Sequence, residues 1–141
     1  MREALRNRVL YSLTHPVSLL ALLVVVINDG WLKSNYPSWW TGKFSDVGMM
    51  VLTPWITIFL LTLFFPKRWL KVVPLLGFSL PVLIFGFGKT LPTLNMLVYQ
   101  AMDFFLPFPV HFVLDPSDLL SLMFLPLAMM VWWQSQHVAP A

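Results

Sequence analysis

The sequence predicts an all-α fold, a four-helix transmembrane bundle with a re-entrant or interfacial segment on its outer side. Three observations predict it. Hydrophobic residues make up 58% of the 141 and charged residues 11%, where soluble domains carry about 25% charged residues. The apolar residues gather in runs near the roughly 20 needed to cross the hydrocarbon of a bilayer. The charges fall between those runs and are sorted by sign. Once the runs are assigned to lipid, too little chain remains for a separate soluble domain, so residues 1–141 read as a single transmembrane domain.

The first span is expected over Val9–Leu32, an apolar stretch interrupted by small or weakly polar residues until Asn28-Asp29. The basic segment before it resembles the start of a signal peptide, but no small-x-small cleavage site follows Ile27, so the segment is expected to stay as a helix. Lys33–Lys43 mixes Pro37 and Gly42 with Tyr36, Trp39 and Trp40, aromatics favoured at a membrane–water boundary, and reads as an interfacial loop. Ser45-Asp46 offers side-chain oxygens suited to capping a helix, which places the second span at 45–65, ending in the basic turn Pro66–Lys71. The third span, 72–89, contains Pro74, Gly77, Pro81, Gly86 and Gly88 and is expected to be kinked or broken. From Pro92 to Phe105 the chain stays apolar, while Asn95, Tyr99 and Asp103 share one helical face, so 92–105 reads as re-entrant or interfacial. Asp115-Pro-Ser-Asp118 then caps the last span, 117–133.

Charge decides orientation. Arg2, Arg6, Arg8, Lys67, Arg68 and Lys71 lie on one side, against Lys33 and Lys43 in the opposite loops. The positive-inside rule puts the richer side, and with it both termini, in the cytoplasm. Asp29, Asp46, Asp103, Asp115 and Asp118 then share the outer side, with Glu3 alone inside. A weak internal repeat accompanies this: Ser45-Asp46 and Ser117-Asp118 are each followed, eight residues after the Asp, by Pro54 and Pro126. Two parallel helix-loop-helix halves would fit that spacing and would gather aspartates about an axis along the membrane normal.

Ionisable groups in or at the ends of membrane helices are costly and are usually paired or functional. Asp29, Asp46, Lys89 and Asp118 are therefore the candidate site, with Lys43 at its mouth. The competing reading makes Asp46 and Asp118 helix caps and lets Lys89 snorkel to the interface. Gly86-Phe-Gly-Lys89-Thr90 lacks the first glycine of a phosphate-binding loop, and Thr41-Gly-Lys43 is followed by Phe44 where Ser or Thr is required, so no nucleotide site is expected. His15, His111 and His137 have no metal-ligand spacing, and the chain has no cysteine, so no metal or other cofactor is expected. The net charge of +3 arises from cations flanking spans rather than from a nucleic-acid footprint.

Asn28-Asp29 through Thr41-Gly-Lys-Phe-Ser-Asp46, then Gly86-Phe-Gly-Lys89-Thr90 and Asp115-Pro-Ser-Asp-Leu119 together resemble a group of uncharacterised small bacterial integral membrane proteins with Thr-Gly-Lys-Leu-Ser-Asp and Asp-Pro-Thr-Asp-Leu type motifs. The resemblance implies that Asp29, Thr41, Gly42, Lys43, Ser45, Asp46, Lys89, Thr90, Asp115 and Asp118 form a shared outer-face site, and it brings no activity. The Asp-led start of the last span is also similar to the VanZ-like family, whose Glu-x-x-Gln feature and following arginine are absent here.

The leading expectation is a small bacterial inner-membrane protein that binds an ion, polar solute or lipid headgroup in an outer-facing pocket, as a channel, carrier or sensor. Its expected partners are membrane lipids and further copies of itself, and nucleic acid is excluded. The alternatives are an oligomeric effector or pore, a membrane anchor for a cytoplasmic partner protein, and an enzyme on a lipid-linked substrate. For the last, no nucleophile–base pair is visible in the spacing.

Overall fold

His15 and Pro16 divide the first apolar run into two helices. In the computed structural model, which describes residues 1–105 and 112–138, α1 covers Arg2–Thr14 and α2 covers Pro16–Ile27. Proline cannot donate its backbone nitrogen and forces the preceding residue out of the helical region. His15 accordingly turns extended, with ψ 141°, and its Nδ1 accepts the Val17 N–H at 3.3 Å, capping α2. The span expected at Val9–Leu32 is therefore displaced to Pro16–Asn35: α2 continues through a π-helical turn, Asn28–Leu32, into the short α3, Lys33–Asn35.

A tight corner at 36–38 replaces most of the expected interfacial loop, and α4 runs from Trp39 to Phe64. Its start lies six residues before Ser45 because Ser38 makes the better cap. Ser38 Oγ accepts from the Thr41 N–H at 3.2 Å while Thr41 Oγ1 accepts from the Ser38 N–H at 2.9 Å, a reciprocal capping box. Ser45 and Asp46 thus lie inside a helix and cap nothing.

Helix α5, Val73–Thr90, is unbroken, contrary to the expected break, and carries Pro81 within it. The proline removes one backbone bond and the rest of the ladder persists, as membrane helices tolerate where neighbours pack against them. Leu91 is extended before Pro92, and α6 follows over Pro92–Phe105, the bounds read from the sequence. It packs on α5 and buries none of its residues. The last span opens as a 3₁₀ helix, Pro116–Phe124, and passes into α7, Leu125–Val138, so it runs past the expected end at Trp133.

Among the described residues four helical stretches are long and apolar enough to cross a membrane: Pro16–Asn35, Trp39–Phe64, Val73–Thr90 and Pro116–Val138. Their contact surfaces rest on close packing, the main source of helix association in lipid. A Cβ on Gly48 would stand 2.5 Å from Val25 Cγ2 and 2.8 Å from the Ala21 carbonyl oxygen, and one on Gly77 would stand 2.1 Å from Ile58 Cγ1. Trp55, fully buried, stacks on Trp132 at 6.1 Å and donates its indole N–H to Ser18 Oγ at 3.1 Å. The outward faces keep Leu19, Leu20, Leu22, Leu23, Leu60 and Leu63 exposed. An apolar exterior of this extent suits a hydrocarbon solvent, since a soluble monomer rarely exposes such patches.

Candidate functional site

Two faces of α4 carry polar residues at one end of the bundle. Thr41, Ser45 and Gly48 fall one turn apart and look toward α2, while Lys43 and Asp46 look toward α5 and the 3₁₀ helix. The helical period separates the two sets, so one short stretch of sequence serves two networks.

The second face holds an ionic chain. Lys43 Nζ donates to Asp115 Oδ2 at 2.8 Å, to Ser117 Oγ at 2.6 Å and to Asp118 Oδ1. Asp118 gives its other oxygen to Lys89 Nζ at 2.5 Å, and Lys89 reaches Asp46 Oδ2 at 3.4 Å. The order is Asp115, Lys43, Asp118, Lys89, Asp46. Asp118 and Lys89 are buried, 5% and 3% exposed, so Lys89 does not snorkel. Its ammonium lies 4.7 Å from the Phe112 ring centre and 5.5 Å from that of Phe85, which replace part of its hydration by cation–π attraction. Gly88 supplies the room, because a Cβ there would stand 2.8 Å from the Phe112 ring.

Asp115 is the cap of the 3₁₀ helix, accepting from the Ser117 N–H at 2.9 Å, whereas Asp118 caps nothing and is committed to the lysines. Hydrogen bonds from Lys43 first and Ser117 second hold the Asp115 carboxyl well below the usual carboxylate range.

On the first face Asn28 Nδ2 donates to the Thr41 carbonyl oxygen at 2.8 Å and to Ser45 Oγ at 2.7 Å, and Ser45 Oγ donates to Asp29 Oδ1 at 2.5 Å. Asp29 itself is exposed. The π turn starts at Asn28, so an irregular turn of the first span and the α4 residues meet through one amide.

Of the residues singled out from sequence, Lys43, Asp46, Lys89, Asp115 and Asp118 join directly, and Asp29, Ser45 and Thr41 form the adjoining network. Thr90 does not join: its hydroxyl donates to the Gly86 carbonyl oxygen at 2.8 Å within its own helix. Asp103 is exposed on α6 and belongs to neither network among the described residues. Asn28 and Ser117 were missed as site members. Asn28, a fully polar amide interrupting an apolar run beside Asp29, was the available signal. His111, considered above as a metal ligand, lies outside the described residues, and among those residues no cluster of His, Cys, Asp and Glu could hold a metal ion.

The ionic chain counts two ammonium groups, Lys43 and Lys89, against three carboxylates, Asp46, Asp115 and Asp118. With all five ionised it carries one negative charge in excess. Every N–H of Lys43 is already engaged, and both oxygens of Asp118 are taken. Asp46, whose side chain is 19% exposed and held by a single long bond, is the member with capacity to spare.

Comparison with known proteins adds no relative: no protein family, no curated protein and no solved structure matches this chain.

Proposed function

We propose that this chain is a multi-pass protein of the bacterial inner membrane that binds a proton or a monovalent cation at the carboxylate-rich end of its bundle, as a carrier, channel or sensor. In this reading that end faces outward and both termini lie in the cytoplasm, as the positive-inside rule directs. The observation that carries the reading is the charge count: both lysines are engaged by Asp118, and one carboxylate, at Asp46, is left without an equivalent cation. An uncompensated charge at the end of a membrane helix is costly, and a proton or a small cation removes the cost.

The same count argues against an anionic solute or headgroup at this end, since Lys43 has no free donor to offer it. An enzyme ranks lower because the lysines are ion-paired rather than poised beside a nucleophile. A pore-forming effector or an anchor for a cytoplasmic protein has no feature here that favours it. Within the proposal α6 rests at the outer interface, which its lack of buried residues supports, and the two Ser-Asp helices act as parallel halves whose aspartates meet at Lys89. Copies of the chain assemble through their exposed apolar faces.

The test is ion flux in proteoliposomes with a pH-sensitive dye inside, run against sodium and potassium gradients. The wild type dissipates a proton or monovalent-cation gradient, and Asp46→Asn slows it at least tenfold while keeping the fold. Equal flux for both proteins sinks the proposal, and no flux for either sinks its carrier and channel forms.

A further inference from the structure

The opposite end of the bundle carries the reverse imbalance. Arg2, Arg6, Arg8, Lys67, Arg68 and Lys71 gather there with Glu3 as the one carboxylate among the described residues. Among those residues the ion pairs all belong to Lys43 and Lys89, so none of these cations is neutralised by a side chain. Some are held by neutral groups. Arg2 Nη2 donates to the Phe65 carbonyl oxygen at 2.6 Å, tying α1 to the turn after α4, and Arg8 lies 3.9 Å over the Trp132 ring and donates to Ser135 Oγ at 3.2 Å.

Arg6 and Lys67, together with Arg2, line one cavity. A volume of about 450 Å³ between α1 and the end of α4 is lined by Arg2, Glu3, Arg6 and Lys67, with Phe59 and Leu63 among its apolar walls. A second hollow of about 640 Å³ is lined by apolar side chains from Phe65 to Leu76. The turn 65–67 contributes to both. The positive-inside rule accounts for the side on which the cations lie, but not for three of them lining one hollow whose Lys67 follows directly on residues of an apolar one.

We propose that this cavity binds a phosphate-bearing anion through Arg6, Lys67 and Arg2, with the headgroup of an anionic phospholipid as its source and the neighbouring hollow taking part of an acyl chain. Guanidinium forks pair with phosphate oxygens in two-bond geometry, and a lysine adds a point charge. Basic pockets between membrane helices bind anionic headgroups by this chemistry. Glu3 opposes the bound charge and limits affinity. The site is independent of the acidic end and does not rest on cation binding there.

The experiment is native mass spectrometry of the full chain in detergent, titrated with phosphatidylglycerol, with phosphatidylcholine, and with inorganic phosphate alone. Phosphatidylglycerol is retained at least tenfold better than phosphatidylcholine. At about fivefold per cation removed, Arg6→Gln with Lys67→Gln lowers that retention by roughly twenty-five-fold, and Glu3→Gln raises it severalfold without removing any cation. Binding of inorganic phosphate that depends on the same two cations, with no preference between the lipids, keeps the site and makes the free anion its source. The proposal is overturned if the wild type binds no phosphate and retains both lipids equally, or if both variants behave as the wild type does.

Discussion

Lys89 and Asp118 meet in an ion pair whose side chains are 4% and 7% exposed, joining α5 to the 3₁₀ opening of the last span. Removing one partner of such a pair leaves an uncompensated charge in a poorly solvated place, at a cost of about 3–5 kcal/mol. Asp118→Leu takes the partner from Lys89 and from Lys43 together, so a loss of stability of that order is expected in thermal unfolding of the detergent-solubilised protein. Asp46→Asn removes only a 3.4 Å contact and is expected to shift the midpoint far less. Equal shifts for the two would mean that the chain of charges does not act in the order described.

Asp115 carries a pH dependence of its own. Its folded pKa lies below the ordinary 3.8, so its contribution to stability is fully present above that value and is lost as pH falls below it toward the folded value. The difference in unfolding midpoint between wild type and Asp115→Asn is therefore constant from pH 5 to 8 and shrinks at more acid pH. A difference that instead changed across neutral pH would assign the titration to another group.

The residues of the ionic chain were legible because charge in an apolar sequence is expensive wherever it sits, and Asp46, Lys89 and Asp118 stood out on that ground alone. The partners of Lys43 were not. Lys43 reaches Asp115 and Asp118 across more than 70 residues, and no local spacing encodes such a pairing. The helix ends were misread for a related reason. Ser38 and Ser45-Asp46 are both competent caps, and the choice fell to Ser38 because Thr41 completes the reciprocal bond, leaving Asp46 free to reach Lys89. Hydropathy registers the run Val9–Leu32 as one span, yet Pro16 divides it by removing a donor, and the π turn at Asn28 is a matter of backbone register that hydropathy does not see.

The cap assignment predicts a separation between two serines on one helix. Ser38→Ala deletes the bond to the Thr41 N–H and is expected to cost about 1 kcal/mol, with faster amide exchange confined to the first turn of α4. Ser45→Ala leaves that turn protected and instead loosens the 28–32 turn, because Asn28 and Asp29 lose their shared hydroxyl. Faster exchange at Val47 and Gly48 in the Ser45 variant would return the cap to its sequence-based position.

Close helix approach gives the last prediction, and two glycines divide it by what each meets. At Gly77 the obstacle to a Cβ is the Ile58 side chain, at 2.1 Å from Cγ1, and at Gly48 it includes the Ala21 carbonyl oxygen at 2.8 Å. A side chain can be shortened by mutation, whereas a backbone atom moves only with its helix. Gly77→Ala is expected to destabilise by about 1–3 kcal/mol, the usual cost of overpacking, and Ile58→Ala should cost less in that chain than in the wild type, because it vacates the contact. Gly48→Ala should lose at least as much, and Val25→Ala should cost no less in that chain than in the wild type, since the carbonyl remains and α2 must shift from α4. That shift would carry Asn28 away from Thr41 and Ser45, so the Gly48 variant is expected to lose both thermal stability and ion flux, and no such coupling to its side-chain neighbour is expected in a double-mutant cycle.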